Sequence, residues 1–166
     1  MGKFDSDSLK DVVTECPGFQ ARATARAVTR HYNTCFKPFG ITAEQFSLLV
    51  GIGAFQGTTL VDLSVSAGAD ATTLSRSIQN LERRGLVRAE GGRGRAGKRL
   101  NLTNAGRRLM VKALPAWRRA TAELSHRLGD KKLQSARRSM ADLAAAAEAS
   151  SSAVSKPPNS SQPRGI

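Results

Sequence analysis

The most constraining stretch of the chain is residues 59–103, where several local patterns follow one another with almost no spacer. Thr59 opens a short segment that turns Leu60 and Leu63 inward, and Ala67-Gly68-Ala69 reads as a tight turn. Asp70 then stands as an N-cap ahead of Leu74, Ile78 and Leu81, whose spacing puts them on one stripe of a helix over residues 71–84. Gly85 falls where a helix commonly ends in a left-handed residue. Leu86-Val87-Arg88-Ala89-Glu90 has strand character. Lys98-Arg99-Leu100-Asn101-Leu102 alternates polar and apolar, as a half-buried strand does.

A short helix, a tight turn, a capped second helix and a two-stranded hairpin is the order of a winged helix-turn-helix. In such proteins the second helix lies in the major groove of duplex DNA. With Leu74, Ile78 and Leu81 inward, Thr72, Arg76, Gln79, Asn80 and Arg83 fall on the opposite face. Arg76 can fork onto guanine, Gln79 and Asn80 can pair with adenine, and Thr72 can meet a thymine methyl or a phosphate. The first turns reach deepest, which favours Thr72, Thr73 and Arg76 for base edges; Asp70 would repel phosphate and fits a cap. The loop between the strands carries Arg93, Arg95, Lys98 and Arg99 among small residues, so its tip can approach DNA and enter a minor groove or clamp phosphates. The plainer readings are a solvated helix face and a flexible basic loop.

On either side the pattern is helical. Residues 1–15 form a short polar lead with Phe4, Leu9, Val12 and Val13 as packing points. Residues 19–36 run without a breaker until Pro38 and Gly40. Thr42 and Gln45 make a capping box for a helix with Phe46, Leu49, Val50 and Gly53 on its apolar face. Thr103 caps a helix to about Leu128, within which Pro115 predicts a kink. Residues 131–148 form a last helix, and beyond Ala149 the Ser- and Pro-rich composition predicts a disordered tail. The expected organisation is a helical dimerisation region from 1–40 and 104–149, a DNA-binding lobe over 41–103, and a tail over 150–166. Leu124, Leu128, Leu133, Met140 and Leu143, with the N-terminal segment, would bury between two chains.

Charge and composition narrow the function. Lys and Arg number 26 against 13 Asp and Glu, a net charge of +13, which points to a polyanionic partner. Aromatic residues make up only 5%, too few for a single-strand stacking platform. No apolar run is long enough to cross a membrane and no signal peptide is recognisable. Cys16 and Cys35 would lie about 28 Å apart on one helix, which excludes a bond between them and suits a reducing, cytoplasmic setting. His31 and His126 share no metal-ligand spacing, and no acid-base or nucleophile cluster is visible, so no enzyme, cofactor or metal is expected. Gly92, Gly94 and Gly97 match a dinucleotide fingerprint by spacing, but a strand and not a helix follows them.

Residues 70–87, Asp-Ala-Thr-Thr-Leu-Ser-Arg-Ser-Ile-Gln-Asn-Leu-Glu-Arg-Arg-Gly-Leu-Val, resemble the multiple antibiotic resistance regulator (MarR) family. Residues 98–106, Lys-Arg-Leu-Asn-Leu-Thr-Asn-Ala-Gly, and residues 39–46 share the resemblance, which covers about residues 19–143. It implies a homodimer with intertwined terminal helices, binding a pseudo-palindromic operator as a repressor that a small phenolic or aromatic effector, or thiol oxidation, relieves. An Asp shortly before an Arg braces the family's wing; Arg95 matches the Arg, but Gly94 takes the place of the Asp. An effector pocket would be lined by Phe36, Phe46 and Trp117, with Arg26 or His31. Cys16 lies where the peroxide-sensing branch carries a reactive Cys, at a helix start with Arg22 near. A thiol sensor using Cys16 and a non-specific architectural DNA binder remain the alternatives.

Overall fold

The computed structural model describes residues 6–92, 94 and 97–154. Arg93, Arg95, Phe4 and the tail from residue 155 lie outside the described residues. The element order is α1 (Ser6–Glu15), α2 (Pro17–Phe36), a 3-10 turn (Lys37–Phe39), α3 (Ala43–Ala54), β1 (Thr58–Thr59), α4 (Leu60–Ala67), α5 (Ala71–Arg83), β2 (Val87–Glu90), β3 (Arg99–Leu102), α6 (Asn104–Leu128) and α7 (Asp130–Val154). The chain divides into two compact units, Met1–Ala120 and Thr121–Ile166.

The core of the first unit joins α2, α3, α4, α5, the sheet and the start of α6. Phe36, Leu49, Ile52, Leu81 and Ala113 are each 0–1% exposed, and Leu74, Ile78, Leu86, Leu100, Leu102 and Met110 pack in the same cluster. Phe36 and Phe46 stack with ring centroids 4.3 Å apart, and Tyr32 extends the stack on Phe36 at 6.1 Å. Removing one of these large buried side chains is expected to cost about 2–5 kcal/mol.

Three expectations need correction. The N-terminal lead is a helix, and its packing points Leu9, Val12 and Val13 are 52, 50 and 46% exposed in the single chain. Val50 points outward at 39% exposure, Leu48 and Ile52 take inward places on α3, and Gly53 faces the buried Leu102, where a Cβ would come within 2.9 Å of Cδ1. The last helix runs past residue 149 to Val154, because the Ala-rich segment before the Ser run propagates helix well. Pro115 sits inside α6, which passes through it as one helix; the missing N–H leaves the Val111 carbonyl without its helical donor.

The wing also gains a strand. Thr58 pairs with Leu100 and Thr59 with Arg99, so β3 lies between β1 and β2 in an antiparallel sheet. Thr58 and Thr59, the second of them itself a helix cap, are too few to carry an alternation. The register of the hairpin proper, Val87 opposite Leu102 and Glu90 opposite Arg99, puts Val87, Leu100 and Leu102 inward.

The junction after the wing is tightly keyed. The Thr103 hydroxyl donates to the Gly85 carbonyl at 2.6 Å and accepts from the Gly106 N–H at 3.0 Å, while the Thr103 N–H bonds the Leu86 carbonyl at 3.1 Å. Gly106 is buried against that carbonyl, and a Cβ there would strike it. Alanine would gain about 1 kcal/mol of helix propensity, but the obstacle is backbone and cannot rotate away. Gly106→Ala is therefore expected to lose about 1–3 kcal/mol net, read as a lower midpoint in chemical denaturation.

Candidate nucleic-acid interface

The orientation of α5 is set by its buried stripe. Leu74, Ile78 and Leu81 are 2, 5 and 0% exposed, so Thr72, Thr73, Arg76 and Arg83 are presented to solvent. The Asp70 carboxylate accepts from the Thr73 N–H at 2.9 Å and lies 3.4 Å from the Thr73 hydroxyl. Asp70 is thus spent on the helix start, and the Thr73 hydroxyl is partly engaged.

The structure separates the other expected α5 residues from this outer face. Gln79 is half-buried, donates to the Ser75 hydroxyl at 3.2 Å, and lines a cleft of about 50 Å³ with Lys98 and Glu82. Gln79 and the wing residue Lys98 are therefore brought together. Asn80 is half-buried too, and its Oδ1 accepts from Gln45 Nε2 at 3.2 Å. Bidentate pairing with adenine needs both ends of an amide, so in this geometry Asn80 braces α5 against α3. The brace continues through Ser77 to Glu44 at 2.8 Å and Arg84 to Gln45 Oε1 at 3.3 Å. Sequence reading missed this network, since nothing local in α5 marks a partner on α3.

Two further contacts hold the wing root. Arg99 donates to the Gly57 carbonyl at 3.1 Å, and the Gly57 N–H donates to Asn101 Oδ1 at 3.2 Å. The polar alternation of β3 hinted at these residues without naming their partner. Ahead of α5, α4 starts with a second capping box, in which Asp62 accepts from the Thr59 N–H at 2.9 Å and its hydroxyl at 2.8 Å. Gly68, at φ 57°, closes the turn between α4 and α5.

Of the residues expected to line an effector pocket, Phe36 and Phe46 stack together and join His31 through Tyr32, whereas Arg26 and Trp117 lie at the surface. Phe36 and Phe46 are 1 and 6% exposed within the core stack. His31 Nε2–H donates to the Ala120 carbonyl at 2.9 Å and ties α2 to α6. Arg26 is fully on the surface, and Trp117 is 38% exposed. An open surface depression of about 460 Å³ adjoins the α2–α3 connection, lined by Asn33, Thr34, Lys37, Gly40, Ile41 and Thr42. Cys16 is half-exposed at the N-cap of α2. Its Sγ and the Arg22 guanidinium both lie within 4 Å of the Cβ position above Gly18, and both cysteines are free.

A short helix, an αL turn, an outward-facing second helix and a braced basic hairpin together define a winged helix-turn-helix protein. A model of the MarR family matches residues 39–96. The transcriptional regulator MosR of M. tuberculosis is 36% identical over 82% of this chain and 98% of its own, with a TM-score of 0.72. The same regulator in complex with DNA gives 37% identity, 81% and 98% coverage, and a TM-score of 0.73. The transcriptional repressor CouR, bound to a 23-mer DNA duplex, shares the fold at 21% identity, 86% and 99% coverage, and a TM-score of 0.72. No curated protein sequence matches the chain. The chain belongs to the MarR family.

One pH effect follows from the α4 cap. Hydrogen bonds from the Thr59 backbone and hydroxyl, aided by Arg99, hold the Asp62 carboxyl below its usual range despite opposing desolvation. A depressed folded-state value stabilises above the unfolded value, and the benefit is lost as pH falls through the folded one. Asp62→Asn is expected to melt below the wild type at pH 7, and the two melting temperatures should converge below about pH 4.

Proposed function

We propose that the chain is a DNA-binding transcription regulator, a non-enzymatic repressor that binds a pseudo-palindromic operator as a homodimer. The observation that carries this is the outward face of α5, held by a buried stripe and set beside a basic wing, in a member of a regulator family. MosR, at more than one-third identity, is seen in complex with DNA. Thr72, Thr73 and Arg76 read base edges. Arg83 contacts phosphate, while Lys98 with Arg93 and Arg95 of the wing clamps the backbone beside the site. Gln79 takes part from the cleft it shares with Lys98, and Asn80 ties the helix to Gln45 of α3.

Exposed apolar residues support association of two chains. Leu128, Met140 and Leu143 are 47, 51 and 44% exposed, and Leu9, Val12 and Val13 are comparably open. Residues 1–40 and 104–149 form the dimerisation region in this reading, and residues 41–103 the DNA-binding lobe. Among the described residues no helix is long and apolar enough to cross a membrane, and the free thiols fit a cytoplasmic regulator. Effector control, by a small aromatic or phenolic compound, is part of the proposal. CouR is seen bound to p-coumaroyl-CoA, and an open depression of about 460 Å³ lies beside Thr42 at the start of α3.

Selection of bound genomic fragments should return a palindromic site, and footprinting should then protect it. At that site Arg76→Ala is expected to cost about 1–3 kcal/mol and to relax specificity. Lys98→Ala should weaken binding evenly across sequences and reduce the salt slope by about 1. Uniform coating of any duplex, with no protected site, would replace this reading with an architectural one.

A further inference from the structure

The N-terminal helices carry two charged rows of the same period. On α1, Asp7, Asp11 and Glu15 recur every fourth residue, and on α2 Arg22, Arg26 and Arg30 do the same. Each row is about 12 Å long at 1.5 Å per residue, and both wind around their helices with the same drift. All six residues are exposed. Asp7 is held by its neighbour Lys10 at 2.7 Å in a solvent-exposed pair. Among the described residues no ion pair engages Asp11, Glu15, Arg22, Arg26 or Arg30.

The two rows cannot close on each other within one chain. Cys16 alone separates the helices: its N–H bonds the Val12 carbonyl at 3.2 Å, and its carbonyl already accepts from Phe19 and Gln20 at 3.1 Å. A joint of one residue is too short to fold a helix back along the next. The arginine row has no internal counter-charge either, since α2 contains no acid.

We infer that the acidic row of α1 docks on the arginine row of α2 in a second copy of the chain, twice, about a two-fold axis. This rests on the homodimer reading above and specifies how one part of that interface is addressed. Antiparallel alignment places Asp7 opposite Arg30, Asp11 opposite Arg26 and Glu15 opposite Arg22 in a single register centred between Gly18 and Phe19. A slip of four residues loses a pair. An isologous contact repeats every pairing with the roles exchanged, so each chain supplies one row of each sign. Rows of i±4 residues on two helices run parallel when the axes cross near −50°, a common packing class. Leu9 and Val13 lie on the far side of α1 from the acidic row and are left to pack elsewhere in the dimer, while Val12 flanks the row beside Glu15. Single exposed pairs stabilise weakly; the rows act by selecting register, because like charges brought opposite one another are rejected.

The test uses two full-length triple variants, Asp7→Lys/Asp11→Lys/Glu15→Lys and Arg22→Glu/Arg26→Glu/Arg30→Glu. Each alone faces like charge with like at both contacts. Its dimer dissociation constant, measured by sedimentation at low salt, should rise roughly tenfold or more, and less at high salt. Mixed, the two variants should form a heterodimer of wild-type affinity, because every row then meets its opposite. A chain carrying all six reversals should self-associate like the wild type.

The inference fails if the triple variants dimerise as the wild type does, for the rows are then only solvated. It fails if the six-fold variant recovers but the mixture does not, which would place the pairing inside one chain. Loss of DNA binding by the arginine variant with dimerisation unchanged would assign that row to phosphate. A wild type that stays monomeric at all concentrations would remove the homodimer reading along with it.

Discussion

Burial of Leu74, Ile78 and Leu81 fixes the rotation of α5, and the character of the outer surface follows from that rotation. A helix turned by one residue would swing its faces by about 100°, hiding Arg76 and exposing leucine. Three apolar side chains at this depth resist such a turn by several kcal/mol together. The caps at both ends then set the length: Asp70 holds the first turn, and Gly85 at φ 66° stops the helix before the wing. Thr103 and Gly106 fasten α6 to that same stop, so the recognition helix, the wing and the long helix meet at one backbone joint.

The positive charge is not concentrated where base reading is proposed. Residues 41–103 balance much of their Lys and Arg against Glu44, Asp62, Asp70, Glu82 and Glu90. By contrast α2 and residues 104–120 carry Arg22, Arg26, Arg30, Arg107, Arg108, Lys112, Arg118 and Arg119 with no acid between them. The scaffold thus contributes heavily to the long-range field, which falls off over about 8–10 Å at ordinary ionic strength, while the lobe supplies short-range contacts. Asp7, Asp11 and Glu15 of α1 add a second, smaller group of acids to the same unit.

Much of this is legible in the sequence. The capping box at Thr42, the helix start at Thr59, the Asp70 cap and the glycine stops are local signals, written in adjacent residues. The α5 stripe is periodic, and periodicity survives without knowledge of the partner. What escaped is non-local. Whether Leu48 or Val50 points inward depends on where α3 lies against α4 and β3, and a nearly all-apolar helix does not say. The two-residue strand β1 exists only because β3 offers it an edge. Asn80 reads as a base-pairing amide in isolation, and only the position of Gln45 reveals that its oxygen is already taken. Phe36 and Phe46 read equally as pocket or core until their rings are seen stacked.

Gln45 serves two helices at once. Its Oε1 accepts from the Thr42 N–H at 3.2 Å and from Arg84 at 3.3 Å, while its Nε2 reaches Asn80. A single amide therefore closes the beginning of one helix and steadies the end of another. The two cannot fray separately: melting the first turn of α3 frees Asn80 and Arg84, and loosening α5 unseats the cap. Such shared fastening makes the pair open as one cooperative block, so amide-exchange protection in the two segments should rise and fall together.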